Sequence, residues 1–560
     1  MLNFLKKGIF IVNQVRWSIR AGKVATLFLG FIAVVGCEKN SSTGKTMPMV
    51  AKLGIRPHGD ETIHPDMSKI PADLQKVFTY IDSHIDEHVE NLQNWIRQPG
   101  ISNSGEGIPE SAEMTKAFFD KLGCQQTRVY DVGITEYGSP GNPVVYARCD
   151  EGAPRTLAVY WMYDTMPVTQ PDAWASPPFE AKIVDGKLVG LPAFRKVLVG
   201  RGAVNSKGPE MSQLNALMSM KAVLGKLPVN LIFIAEGDEE RMDIGLRKFV
   251  IDHPELLKGA DAMVGLGRGG SEGCVYVELT TSGKKWGRGP TDSDIHGSNK
   301  RAVDSPAWRH IQMLASLVSK DGNTPLIKGF FDGIEQPNVS EIAALKAQAS
   351  HLDLKKAADG LGVARYISDD PFTMLKMARM GTSMNMDGIW GGNMYAGGAG
   401  AILPNKITSK HNFRYVPNMH GLDIVRKLRT QLDVNGYSDV DMKLIGDVPW
   451  AKMDGNNEIS HAVDTMYDQF AVGREGRIEG ESILNGGYWP AYLFTNGPTG
   501  QKLNNVSMPI DGGSVGTGGR AHAANEYWVI EGAGKRYGMA GAEQAFAALV
   551  YNFAHGSGSK

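Results

Sequence analysis

Glu239 and Glu240 close the run Ile234-Ala235-Glu236-Gly237-Asp238-Glu239-Glu240, directly after an apolar stretch. Adjacent carboxylates in such a place can divide labour, one ligating a metal while its neighbour moves a proton. The preceding run from Val229 to Ala235 is β-branched and aromatic, as a buried parallel strand would be. Gly237 breaks it, so the acids fall at the carboxyl end of the expected strand, where open α/β sheets place their ligands. Two glutamates alone would equally suit a solvated acidic loop; the rest of the chain decides between the two.

Upstream, a second apolar run, Thr156 to Trp161, ends in Met162-Tyr163-Asp164-Thr165-Met166-Pro167-Val168. WASPPFEAKIVDGKLVG follows, then GRGAVNSKGP from Gly200 to Pro209, which opens a helical pattern. Further on come DIHGS (Asp294 to Ser298), RYVP (Arg414 to Pro417) and GGRAHAANEYWVIEG (Gly518 to Gly532). Taken in order, these motifs resemble one family over roughly residues 75 to 555: the zinc metallopeptidases of aminoacylase, carboxypeptidase G, carnosine dipeptidase and succinyl-diaminopimelate desuccinylase.

In that family two zinc ions share a bridging carboxylate. The resemblance implies that Glu239 is the general base, that Glu240 and His522 are terminal ligands of one ion, and that Asp164 orients a histidine ligand of the other. The departures are concentrated on that other ion. Met162 stands where the ligand His belongs, Asn205 where the bridging Asp belongs, and Gly267 in the strand where the last Asp would fall. A thioether suits copper(I) and not zinc, and a neutral amide is a poor bridge between dications. The expectation is therefore at most one divalent metal, zinc or similar, held by Glu240 and His522 with Asn205 as a weak third donor, or none; dinuclear zinc is not expected. The resemblance further implies that His296 reaches the oxyanion, often from a partner subunit, and that Arg414 grips a substrate carboxylate, a task suited to a planar bidentate donor. The alternatives are a surface histidine at a turn and an arginine in an ordinary ion pair. Lys207 would neutralise nearby acids. The glycines of GRG and KGP serve turns and packing, since the spacing of a phosphate loop is absent.

The 560 residues are 42% hydrophobic, enough for more than one domain with sizeable cores. With 59 basic and 60 acidic residues the net charge is −1, which gives no electrostatic footprint for nucleic acid. Lys6, Lys7, Arg16, Arg20 and Lys23 precede a short apolar segment ending Val34-Val35-Gly36-Cys37, which resembles the lipobox of bacterial lipoproteins. With Glu38 after the cysteine, the expected address is the cell envelope, facing the periplasm on the outer membrane, with membrane attachment through lipidated Cys37. Cys124, Cys149 and Cys274 allow at most one internal disulfide, and the sequence does not say which.

The expected fold class is α/β: a discontinuous catalytic domain with a mostly parallel, helix-covered sheet, and an inserted α+β lid and dimerisation domain. The expected divisions are a signal peptide at 1–37, a polar tether at 38–71, catalytic parts at 72–279 and 454–555, and the lid at 280–453. One amphipathic helix is expected from Pro71 to Arg97, a largely helical insertion after Leu326, and a substrate-facing loop from Gly388 to Pro404. The function expected is hydrolysis of a peptide or amide bond in a small carboxylate-bearing substrate, a small peptide or N-acyl amino acid, by a possible homodimer. Two alternatives stand beside it: a metal-independent acid/base enzyme on the same fold, and an inactive lipoprotein that binds peptides or a partner.

Overall fold

The apolar runs flanking the chemistry become the centre of a sheet. The computed structural model describes residues 53–266, 270–395, 397–452, 455–473, 487–495 and 506–556. The expected signal peptide, Cys37 and Gly267 lie outside the described residues. The strands of the two main sheets, in chain order, are Gln126–Tyr130 (β1), Val144–Cys149 (β2), Thr156–Met162 (β3), Asn230–Glu236 (β4) and Ala262–Val264 (β5). They are followed by Gly273–Ser282 (β6), Ser383–Trp390 (β7), Lys406–Tyr415 (β8), Asp441–Val448 (β9) and Ile510–Asp511 (β10).

The first sheet runs β10-β5-β3-β4-β2-β1, parallel from β10 to β4 and antiparallel at β2 and β1. Both faces of β3 and β4 are covered. Leu157, Val159, Trp161, Leu231 and Phe233 face one core, and Ala158, Tyr160, Ile232 and Ile234 face another. That is why both strands read as continuous apolar runs rather than alternating ones.

The helices on the first face are Ala72–Ser83 (α1), Ile85–Arg97 (α2), Ile108–Leu122 (α3) and Lys207–Leu224 (α4). The opposite face packs on Ile244–Asp252 (α5), through Ile244, Leu246 and Phe249. The single helix expected from Pro71 to Arg97 is thus two, broken at His84, whose φ of −113° and ψ of 10° leave the helical region.

A second, antiparallel sheet, β7-β8-β6-β9, forms the lid. Its apolar face (Val275, Val277, Leu279, Phe413, Tyr415) packs on Pro306–Ala315 (α6), and the expected insertion is helical at Val339–Ser350 (α7), Leu354–Leu361 (α8) and Pro371–Met380 (α9). Gly421–Val434 (α10) adds Ile424 and Leu428 to the same core. The expected boundary at residue 279 cuts through β6, which belongs wholly to the lid sheet. Glu458–Gln469 (α11) and Met539–His555 (α12) complete the first core.

A polar tether is expected as far as Pro71, and residues 53–71 do not fit it. From Leu53 onward the chain is folded: Ile55 and Ile70 are buried, and Asp60–Glu61 pairs in parallel with Ala533–Gly534. Arg56 reaches the buried carboxylate of Glu531 at 2.6 Å. A bridge joins Cys124, just past α3, to Cys149 at the end of β2, and Cys274 is free and buried.

His58 lies 3.1 Å from Asp82 and 3.4 Å from Glu61, and the Asp82 hydrogen bond leads in pushing its imidazole up to about 10. Its free form titrates near 6.5, so the stability gained from this clasp is fully present below that pH and is lost as pH rises through about 10. The deficit in Tm of a His58→Gln variant should accordingly be largest in mildly acidic buffer and should close toward pH 10; a deficit of constant size across a thermal-melt pH series would remove the clasp as its cause.

Candidate active site

Gly237 turns the chain sharply at the end of β4, where a side chain would collide with the ring of Tyr163. Asp238 anchors the turn. It is buried, accepts from the backbone N–H of Asn142 at 2.7 Å and of Gly245 at 3.1 Å, and pairs with Arg241 at 3.0 Å. Asp164, fully buried at the end of β3, accepts from the N–H groups of Glu239 and Glu240 at 3.4 and 3.1 Å. Asp164 therefore holds the Glu239–Glu240 turn by its backbone, while Met162 is buried in β3 and absent from the cleft lining. Burial, then the charges of Glu240 and Asp238, pushes the Asp164 carboxyl up to about 8.

Asn205 and His522 arrive by a different route. Short strands Val197–Val199 and Tyr527–Val529 pair antiparallel, which sets the loop from Gly200 to Ser206 beside the loop from Arg520 to Glu526. Glu526, fully buried, ties the loops together: it accepts from the N–H groups of Gly202, Val204 and Asn205 at 3.1, 2.9 and 2.9 Å and pairs with buried Arg201 at 2.6 Å. His522 itself sits at φ +63°.

The outcome is a trio. Asn205 Nδ2 donates to Glu240 Oε1 at 2.8 Å and lies 3.0 Å from His522 Nε2, which is 2.9 Å from the same Glu240 oxygen. The sequence-expected ligands thus converge. An aspartate at 205 would repel Glu240 unless cations lay between them, whereas an amide donates to it and neutralises nothing. Met162 is buried and Asn205 is neutral, so neither supplies the negative charge that a second cation would call for. Glu240 and His522 are the strong donors at the trio; the Asn205 amide meets them with its nitrogen, while its oxygen accepts from Ser206 Oγ at 3.3 Å, so a third ligand from Asn205 calls for a turned amide.

Glu239, next to Glu240 in the chain, is buried and absent from the cleft lining. Burial, then the charges of Glu240, Asp164 and Glu236, holds its carboxyl well above the ordinary range, with Arg414 opposing. Tyr488 donates to its carbonyl oxygen at 3.1 Å, and the Arg414 guanidinium lies 4.8 Å from the centre of that tyrosine ring. Lys207 does not act on the site directly. It is buried and donates to the carbonyls of Trp95 and Gln98 at 3.1 and 2.8 Å, and burial draws its ammonium down to about 7.

Glu240, His522 and Arg414 line a cleft of about 790 Å³ between the catalytic body and the polar face of the lid sheet. On that face stand Tyr276 and Glu278 of β6, Ser383, Asn385 and Asp387 of β7, Lys410, Asn412 and Arg414 of β8, and Lys443 of β9. Arg414 gives Nη1 to Glu272 at 3.0 Å. Gly388 and Trp390 bring the start of the expected substrate-facing loop to the cleft. His296 does not line it: it is exposed beside the pairing of Ile295–His296 with Ile402–Leu403, its Nδ1 2.8 Å from Ser298 Oγ. The sequence reading did not single out Glu526, Tyr488 or the lid's polar row. The row was visible as period-2 alternation in Lys406–Tyr415, and Glu526 as the acid closing the late His motif; Tyr488 carried no local signal.

A parallel α/β sheet with paired glutamates at a strand end and an antiparallel lid over the cleft defines a two-domain peptidase architecture. The family model "Peptidase family M20/M25/M40" matches residues 162–536, and the chain belongs to that family of peptide-bond hydrolases. It is 28% identical to the human Beta-Ala-His dipeptidase over 386 residues, 65% of this chain and 72% of that protein. It is 25% identical to the Cys-Gly metallodipeptidase DUG1 of Candida albicans over 445 residues, 74% and 87% of the two chains. Among solved structures, an M20 family metallo-carboxypeptidase from Sulfolobus solfataricus superposes with a TM-score of 0.66 at 25% identity, covering 83% of this chain and 99% of that one. Human carnosine dipeptidase 1 shares the fold with a TM-score of 0.71 at 23% identity, covering 86% and 100%.

Truncating Glu526 leaves Arg201 and three N–H groups buried without their acceptor. A Glu526→Ala variant should lose about 3–5 kcal/mol in a denaturant titration, and a loss under about 1 kcal/mol would refute its role as the tie between the two loops.

Proposed function

We propose that this protein is an exported amidohydrolase that cleaves a peptide or amide bond in a small carboxylate-bearing substrate, of the dipeptide or N-acyl amino acid type, with at most one divalent metal. The observation that carries the reading is the convergence of Glu240 and His522 on the cleft wall, joined by the Asn205 amide, with buried Glu239 next to Glu240 in the chain. The dipeptidase names of the relatives support the substrate class.

Glu239 takes a proton from a water lodged against Glu240 and His522. Burial, then the charges of Glu240, Asp164 and Glu236, moves its pKa upward, the direction that general-base work calls for. Arg414 holds the substrate carboxylate with the guanidinium N–H groups left after Glu272 has taken one. Glu240 and His522, with Asn205 as the weak third donor, would hold the metal, which when bound supplies Lewis-acid polarisation of the scissile carbonyl. The position of His296 away from its own cleft supports a homodimer in which it donates to the oxyanion in the cleft of a second copy.

Purified protein should carry about one equivalent of metal and lose hydrolysis of dipeptides on chelation. Glu239→Gln should lower turnover by on the order of 10²–10⁴. Mixing that variant with an equally inactive His296→Ala protein should restore part of the activity, because each mixed dimer regains one intact cleft. Full activity in metal-free protein would transfer the reading to metal-independent acid/base chemistry at the same carboxyl cluster. Undiminished turnover in Glu239→Gln would sink every enzymatic reading, and mixtures that stay inactive would take His296 out of the mechanism.

Anchoring through Cys37 belongs to the same proposal, and the bridge between Cys124 and Cys149 supports an oxidising compartment. A Cys37→Ser variant should move from the membrane fraction to the soluble fraction of the expressing bacterium and lose palmitate labelling; a variant that stays membrane-bound would refute the anchor.

A further inference from the structure

The proposed mechanism puts Arg414 on the substrate carboxylate and Glu239 on the water, and one side chain reaches both. The guanidinium carbon of Arg414 lies over the Tyr488 ring, 4.8 Å from its centre. The hydroxyl at the far end of that ring donates to the carbonyl oxygen of Glu239 at 3.1 Å. Tyr488 lines the cleft together with Arg414 and Glu240.

The backbone carrying Tyr488 is tied on both sides. Gly487 O accepts from the N–H of Glu272 at 3.3 Å, and Glu272 is the carboxylate that takes Nη1 of Arg414 at 3.0 Å. The Trp489 indole donates to Gly270 O at 3.4 Å and packs on Tyr160, ring centres 5.6 Å apart. Gly270 and Glu272 lead into β6 of the lid, whereas Tyr160 belongs to β3 of the body. Residues 487–489 therefore strap the two together, with Tyr488 in the middle.

Each end of the tyrosine meets a group that needs holding. A guanidinium kept over an aromatic face retains its N–H donors in its own plane, where they can meet a carboxylate side-on. At the other end, Met242 and Asp243 sit at φ +72° and +54°, left-handed values that are costly for residues other than glycine. The turn bearing Glu239 is thus held by its contacts. Asp164 takes the Glu239 N–H, and the Glu239 carbonyl accepts from the Tyr488 hydroxyl and from the N–H of Met242 at 3.2 Å.

Resting on the hydrolase reading above, we propose that Tyr488 is a positioning residue with two separable tasks: its ring sets Arg414 for the substrate carboxylate, and its hydroxyl sets the peptide of Glu239 for catalysis. Carboxylate selection and turnover then depend on different atoms of one side chain.

The probes are alanyl-alanine and glycyl-leucine, each beside its carboxamide, so that the members of a pair differ only at the terminal carboxylate. Binding is measured by calorimetry in the Glu239→Gln background, and turnover in the protein that keeps Glu239. The acid of at least one pair should bind roughly tenfold tighter than its amide. Tyr488→Phe keeps the ring and should preserve that ratio, while kcat falls by roughly ten- to hundredfold and KM stays within about twofold. Tyr488→Leu keeps apolar bulk without the ring and should bring the ratio toward one. Both variants are compared at an unchanged circular dichroism spectrum, and Tyr488→Met replaces Tyr488→Leu if the latter does not fold. Full kcat in Tyr488→Phe overturns the role of the hydroxyl, and a ratio that survives loss of the ring overturns the role of the ring. Loss of ratio and kcat together in Tyr488→Phe marks a merely structural residue and overturns the proposal. Dipeptides that bind the unmodified protein and are not cleaved overturn the hydrolase reading and the hydroxyl's task with it, while the binding ratio still judges the ring. Failure of every probe to bind overturns both.

Discussion

Crowded carboxylates are the constraint around which the catalytic body is built. Asp164, Glu236, Asp238, Glu239 and Asp243 are all buried within a few residues of the ends of β3 and β4, with Glu240 beside them. Water cannot solvate them there, so each needs a donor or a proton. Backbone N–H groups serve Asp164 and Asp238, the Tyr160 hydroxyl serves Glu236 at 2.6 Å, and the Asn205 amide serves Glu240. Burial raises the carboxyl pKa of every one of the five buried acids. The turn after Gly237, the loop held by Glu526 and the placement of Arg414 are three ways of meeting that one demand.

An amide, not a carboxylate, stands at residue 205, and that sets how the demand is met there. A bridging carboxylate would add negative charge and require cations to cancel it; Asn205 adds two N–H donors in the same place. Glu240 and His522 are then cross-linked directly, with the nitrogen of the amide within hydrogen-bond distance of both. The site keeps the fold's geometry with less charge to neutralise.

How much of this was legible in the sequence depended on whether a signal was local. β3 and β4 were readable because strands buried on both faces must be apolar throughout, and Gly237 marked where β4 stops. Asn205, Glu240 and His522 could be named because each closes a motif, although nothing in the spacing said they would touch. Among the readings that failed, two show the physical reason. The helix expected from Pro71 to Arg97 keeps one apolar face, but His84 breaks it, because periodicity does not report a local departure in backbone angles. Residues 53 to 71 read as tether because their composition is polar, whereas their folding depends on partners hundreds of positions away, Glu531 and Ala533 among them. Glu526 and the bridge between Cys124 and Cys149 are likewise long-range facts.

The strict two-residue alternation of β8 separates two kinds of selection. Ile407, Ser409, His411, Phe413 and Tyr415 point into the lid's core, while Lys410, Asn412 and Arg414 point into the cleft. A mutation at an inward position is judged by packing density, and one at a cleft position almost wholly by what it admits. The strand therefore behaves as an evolvable panel: drift on its outer face can shift diet while the inner face, under purifying pressure for packing, keeps the lid standing. Specificity in this molecule can change without renegotiating its fold.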